Sequence, residues 1–205
     1  METSTFFYFL LTSILLTLAP GPDILYLLAK SLADGAKSGI VLACGLVSGI
    51  FFHTMLVMLG VAALIQSSPT ALTMLRYFGA AYLLFLAFGA FKSSGEMKIG
   101  SAGSKASYKA LYRRGVLMNV LNPKVLLFFL AFLPQFVNVS DTSASLQIAL
   151  LGLTFAIQGL IIFSLVAICA GRLREVILKN KNLGRVFGII EGAVLSLIAI
   201  ALIVS

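Results

Sequence analysis

Charge is scarce in this chain, and acid is scarcer still. Of 205 residues, 15 are Lys or Arg, 7 are Asp or Glu, and one is His. A soluble domain carries about 25% charged residues; here 11% are charged and 60% are hydrophobic, with a mean hydropathy of +1.07. That balance excludes an ordinary water-soluble globule and points to a polytopic membrane protein, with little length to spare for a soluble domain. Only two cysteines are present, Cys44 and Cys169. They make no disulfide framework and no CxxC pair, so each reads as a small buried apolar residue. The acidic deficit leaves a net charge of +8, which in a soluble protein would suggest nucleic acid. The basic residues here lie in loops between apolar runs, so membrane topology accounts for them and no nucleic-acid partner is expected. The chain is apolar from Phe6, but Glu2 precedes that run and no basic segment does, so a cleaved signal peptide is not expected.

What is present is a series of apolar runs near membrane-spanning length, about 20 residues each. They cover about residues 5–32, 40–65, 72–91, 115–137, 146–170 and 183–204. The fold expected is all-α, with six transmembrane helices in a lipid bilayer. The connections alternate in charge. Lys30 and Lys37 face Asp34 in the first. Lys92, Lys98, Lys105, Lys109, Arg113 and Arg114 face Glu96 in the third, and Arg172, Arg174, Lys179, Lys181 and Arg185 face Glu175 in the fifth. The second connection, a tight turn at Gln66-Ser67-Ser68-Pro69, has no charge, and the fourth has only Asp141. The basic connections are therefore assigned to the cytoplasm, with both termini on the opposite side.

Two runs are interrupted. The first contains Leu18-Ala19-Pro20-Gly21-Pro22-Asp23, and the fourth contains Val120-Leu121-Asn122-Pro123-Lys124. Proline removes a backbone donor and clashes with the preceding turn, so the first helix should stop near Ala19. Pro22 and Pro123 suit the first position of a new half-helix, and Asp23 falls in the first turn, facing the positive end of the helix dipole. Overlaid, the breaks match Pro22 with Pro123 and Asp23 with Lys124. Three spans, a basic connection and three more spans then read as inverted repeats within one membrane domain, residues 1–205. Repeat one covers about 1–92, the cytoplasmic loop 93–114 and repeat two 115–205. Broken helices 1 and 4 face each other across a site, as in many secondary transporters.

Charges inside a membrane cost about 2.5–3.5 kcal/mol each on insertion scales. Lys124 also opposes the dipole of the half-helix it starts, so it needs an anion. Asp23, as a structural pair locking the halves together, is one candidate; a substrate α-carboxylate is the other, with Asp23 then taking the α-ammonium or a coupling proton. Asn122 is placed to cap the second half-helix. Asn119 and Gln158 are polar groups within spans, suited to gluing helices or touching substrate. His53 reads as an interior histidine or a proton relay, and Glu191 as an intramembrane carboxylate near the cytoplasmic end of the last helix, facing Lys or Arg there or serving the pathway. Gly45 and Gly49, and Gly184, Gly188 and Gly192, form small-residue faces that allow close helix approach within a protomer or across a homodimer. No metal or other cofactor is called for.

The combination resembles the LysE/RhtB amino-acid exporters. The likeness runs through Leu18-Ala19-Pro20-Gly21-Pro22-Asp23, Ser31-Leu32-Ala33-Asp34-Gly35-Ala36-Lys37-Ser38-Gly39, Arg76-Tyr77-Phe78-Gly79-Ala80-Ala81-Tyr82-Leu83, and Arg114-Gly115-Val116-Leu117-Met118-Asn119-Val120-Leu121-Asn122-Pro123-Lys124 on to Phe132-Leu133-Pro134-Gln135-Phe136. It covers essentially the whole chain. It implies an inner-membrane exporter of amino acids or close derivatives, driven by an ion gradient, with proton antiport and alternating access expected. Pro20, Gly21, Pro22, Asn122, Pro123 and Lys124 match motif positions. Family members vary at the position of Asp23, and Glu191 stands where many have a small or apolar residue. Two other classes of function make different demands on the residues. A thiol-redox enzyme would need Cys44 and Cys169 to meet, and a serine protease would need Ser48 to work with His53. A channel or scaffold subunit would give passive flux without amino-acid competition.

Overall fold

The computed structural model describes residues 3–67, 69–92, 106–137, 144–179 and 182–204. Among these the chain is helical, with no strand. The helices are α1 Thr3–Leu18, α2 Pro22–Asp34, α3 Ala36–Ser67, α4 Pro69–Lys92, α5 Tyr108–Val120, α6 Pro123–Leu127, α7 Ala144–Lys179 and α8 Leu183–Val204. A π-helical turn, Phe128–Phe132, and a 3₁₀ turn, Leu133–Phe136, continue α6. Four segments are long and apolar enough to cross a bilayer: Ala36–Gly60, Thr73–Lys92, Ala144–Ala170 and Gly184–Val204. The pair α1 and α2, bent by 56°, and the pair α5 and α6 with its continuation, bent by 48°, raise the number to as many as six.

Both bends fall where proline interrupts the backbone ladder. The amide of Ala19 still bonds the Leu15 carbonyl at 2.9 Å; Pro20 then has no amide to give. Pro22 opens α2 and Asp23 sits in its first turn. In the second break, Asn122 takes the N-cap position before Pro123. The π turn precedes Pro134, where the missing amide again loosens the ladder.

The long helices pack in pairs. α3 lies against α5 and α7, and α4 lies along α8. The first pairing rests on glycine. A methyl group added at Gly115 would lie 2.8 Å from the Leu46 amide nitrogen and 3.0 Å from the Gly45 carbonyl carbon, so the two backbones touch. Gly49 receives Asn119 in the same seam, and Gly192 receives the ring of Phe91 from α4. These glycines therefore serve packing within one protomer. Where α1, α7 and the continuation of α6 meet, Phe9, Phe128, Phe132, Phe136 and Phe155 form a buried aromatic cluster with ring centroids 5.0–6.0 Å apart. Phe78, Phe85 and Leu59, by contrast, project outward. Such a surface suits lipid and not water.

Several sequence expectations need correction. Helix α5 begins at Tyr108, so Lys109, Arg113 and Arg114 sit on a helix and not in a loop. Likewise α7 runs to Lys179 and carries Arg172, Arg174 and Glu175, while Arg185 lies on α8. Ends rich in Lys and Arg stay helical past the apolar limit because those residues are good helix formers. Cys44 and Cys169 are exposed, not buried, because the α3 and α7 faces that carry them point outward. Ser68, Glu96, Lys98, Lys105, Asp141 and Lys181 lie outside the described residues.

Candidate substrate site between the helix breaks

The two breaks meet. Asn122 holds both: its side-chain oxygen accepts the Lys124 amide at 3.0 Å, capping α6, and its Nδ2 donates to Asp23 Oδ2 at 2.6 Å. One short side chain therefore finishes its own helix and grips the start of the other. Lys124, 7% exposed, reaches back across the first break and donates Nζ to the Ala19 carbonyl at 2.9 Å. That carbonyl lies past the end of α1, where its backbone partner is the Gly21 amide at 2.8 Å, so its second lone pair is open to the ammonium.

The direct Asp23–Lys124 ion pair offered by the sequence does not form. Among the described residues the one ion pair within 4.0 Å is Lys30–Asp34, one turn apart on α2. Asp23 is held by Asn122 and Lys124 by a carbonyl, so the two charges share a site without locking it. Both line a cavity with Asn119, Thr17 and Ala19. The remaining wall is apolar: Leu16, Ile24, Ile50, Val125, Phe155 and Phe163. The cavity has a volume of about 20 Å³, room for roughly one water.

Polar groups around this cavity are only partly satisfied. Gln158 donates Nε2 to Thr17 Oγ1 at 2.9 Å, and its Oε1 is buried without a partner. Asn119 Oδ1 is likewise unpartnered, as is Nδ1 of His53, whose Nε2 contacts the Asn119 carbonyl at 3.0 Å. Buried polar atoms almost always find partners. Acceptors left open beside a cavity are what a ligand's donors would use.

Glu191 reaches this centre too; of the two places the sequence left open for it, the head lies beside the helix breaks. A methyl group added at Gly21 would lie 2.9 Å from Lys124 Nζ and 3.1 Å from Glu191 Oε1. Gly21 has an ordinary extended conformation, φ −81°, so glycine gives room there for the two side-chain heads and no special torsional freedom. Pro20, Pro22 and Pro123 contribute the breaks themselves. Thr17, Leu16, Ile24, Ile50, Val125, Phe155 and Phe163 were not singled out from the sequence. Thr17, a hydroxyl one turn before the break, carried a faint signal; the apolar residues carried none, since any span is full of them.

The enzyme readings lose their geometry. Ser48 donates to the Cys44 carbonyl and accepts from Tyr112 Oη at 2.8 Å, while His53 is turned to Asn119. Among the described residues no serine bonds His53, and the two cysteines face outward from different helices.

Bent apolar helices around a buried, mixed-charge cavity define a multi-pass membrane protein of the transporter class. The chain belongs to the LysE type translocator family, whose family model matches residues 14–205; it is a transporter and not an enzyme. Among curated relatives, it is 29% identical to the leucine efflux protein of Salmonella choleraesuis (strain SC-B67) and to that of Salmonella paratyphi A (strain ATCC 9150 / SARB42). Each match spans 182 residues, 87% of this chain and 84% of the relative. No solved structure matches the chain.

Proposed function

We propose that this protein exports an amino acid with an aliphatic side chain, of the leucine class, from the cytoplasm across the bacterial inner membrane. The observation that carries the reading is the joint presence of Lys124 and Asp23, one from each helix break, in a cavity whose other wall is apolar. A zwitterion presents its carboxylate and its ammonium close together. Lys124 receives the first, and Asp23 with Asn119 Oδ1 receives the second. Ile24, Ile50, Val125, Phe155 and Phe163 then meet the side chain. The two leucine efflux relatives support the same substrate class.

A cavity of about 20 Å³ is far below the roughly 150 Å³ that accommodates a benzene, so loading requires the helices to part. That need supports alternating access. The pairing of α3 with α7 and of α4 with α8 matches equivalent helices of the two halves, which supports inverted repeats of 1–92 and 115–205 joined by a cytoplasmic segment. The basic helix ends support a cytoplasmic position for the ends of α2, α4 and α7, with both termini outside. Proton antiport is the coupling proposed. Asp23 is the first choice as carrier, and Glu191 and His53 lie nearby.

The test is efflux from cells preloaded with leucine-containing and other dipeptides, comparing wild type, Lys124→Ala and empty vector. Wild type is expected to export aliphatic amino acids, and the variant to fall to the vector rate. Undiminished export by Lys124→Ala would remove it from the pathway. On the antiport reading, Asp23→Asn keeps part of the substrate affinity while efflux loses its response to an imposed pH gradient, measured in proteoliposomes. A variant with normal pH response would sink that role for Asp23.

A further inference from the structure

Lys124 has a second carboxylate within reach, and it comes from another helix. Glu191 sits about 12 Å along α8 from Leu183 at 1.5 Å per residue. Its Oε1 and the Lys124 ammonium converge on the same spot over Gly21, 3.1 and 2.9 Å from where a methyl group would be. Glu191 is half-buried and makes no hydrogen bond or ion pair within 4.0 Å among the described residues. Lys124 from α6 and Asp23 from α2 are the charged groups acting on it. The other cations of neighbouring α4 are engaged elsewhere. Arg76 donates to the Leu202 and Ile203 carbonyls at the end of α8, and Lys92 lies over the Phe88 ring. Asp23, for its part, is tied to Asn122.

We propose that Glu191 is the resting counter-ion of Lys124: it neutralises the ammonium whenever no substrate carboxylate does, and yields it when one arrives. The inference rests on the reading of Lys124 as the substrate's carboxylate receptor. The physical reason is the return of the empty carrier. A buried ammonium without an anion is strongly destabilising, and the one hydrogen bond to the Ala19 carbonyl supplies no charge. With Glu191 on α8 and Lys124 on α6, the two heads stand more than 4.0 Å apart and close over Gly21 into a pair when the site is empty; with substrate, the same cation closes on the substrate's carboxylate. Both forms can therefore cross. Gly21 is the gap through which the two heads approach. Glu191 is a positioning residue: it acts on substrate through Lys124.

Two measurements test this on the full-length protein. The first is a thermal-stability cycle in detergent with Glu191→Gln, Lys124→Gln and the double variant. Each single variant should melt below wild type by several degrees, and the double variant above at least one of them, because an unpaired charge is removed. If Glu191→Gln does not accumulate folded, folded recovery in the double variant gives the same support. Additive losses, or no folded double variant, would overturn the proposal. The second compares leucine self-exchange with net leucine efflux in proteoliposomes. Glu191→Gln should keep exchange, which needs only the loaded carrier, and lose net efflux about tenfold. Glu191→Asp should restore much of it. Equal loss of exchange and net efflux, or of neither, would sink the idea. If wild type moves no leucine, the substrate reading fails while the stability cycle still decides for or against the pair.

Discussion

Asn122 does two jobs with one amide, and the jobs can be separated. Its oxygen caps α6 and its nitrogen binds Asp23. Asn122→Ala loses both and leaves Asp23 buried without that donor, at a cost of about 1–2 kcal/mol for the cap and about 1–3 kcal/mol for the unsatisfied carboxylate. Asn122→Ser keeps a capping oxygen but is too short for Asp23. Expected are a lowered melting temperature for both variants and a smaller drop for Ser, with export reduced similarly in the two. Comparable melting losses would show that the cap contributes little. The capping role was legible from Asn-Pro before an apolar run. The grip on Asp23 was not, because it joins residues 99 apart in sequence. The same limit explains why the sequence could align Asp23 with Lys124 yet leave open whether they pair. Opposite charges at matched positions share a neighbourhood, but the nearest hydrogen-bonding partner claims each one.

Among the elements, the seam of α3 against α5 is the one that glycine governs. At Gly115 any side chain meets backbone, which cannot swing aside. At Gly159 an added methyl group would find Ile50 Cδ1 at 3.7 Å and Val47 Cγ2 at 3.9 Å, ordinary van der Waals contact. Gly115→Ala is therefore expected to destabilise by roughly 1–3 kcal/mol through overpacking. Gly159→Ala should be near neutral, or slightly stabilising through its better helix propensity. Melting curves of the two purified variants check the contrast; equal curves would mean that the seam opens cheaply. From the sequence, Gly45 and Gly49 were readable as a close-approach face. That the face meets α5, with Asn119 lodged over Gly49, depended on the packing. The breaks themselves were readable almost to the residue, because proline acts locally on the ladder that contains it.

At the scale of the whole molecule, the proposed topology makes a labelling prediction. In a variant with Cys44 and Cys169 replaced by serine, which should keep export, a single cysteine in place of Lys98 should react with a membrane-impermeant maleimide only after the cytoplasmic face is opened. One placed near residue 205 should react in intact spheroplasts. The reverse pattern would invert the orientation argued from the basic helix ends. The same variant tests whether either exposed thiol matters to transport. Its unchanged efflux would agree with their outward positions on α3 and α7.

The sequence by itself determined the membrane environment, the approximate spans, the two proline breaks and the residues that cap and charge them. These follow from composition and from interactions within a few residues, where the chain has little choice. Tertiary structure alone decided which polar groups meet. It set Lys124 on the Ala19 carbonyl, Asp23 on Asn122, Gln158 on Thr17 and Glu191 over Gly21. It also decided which of many equivalent apolar residues line the cavity and which face outward. The reason is physical: in a span apolar on every side, periodicity marks no inner face, so the interior is defined only when helices pack and their few polar side chains find one another.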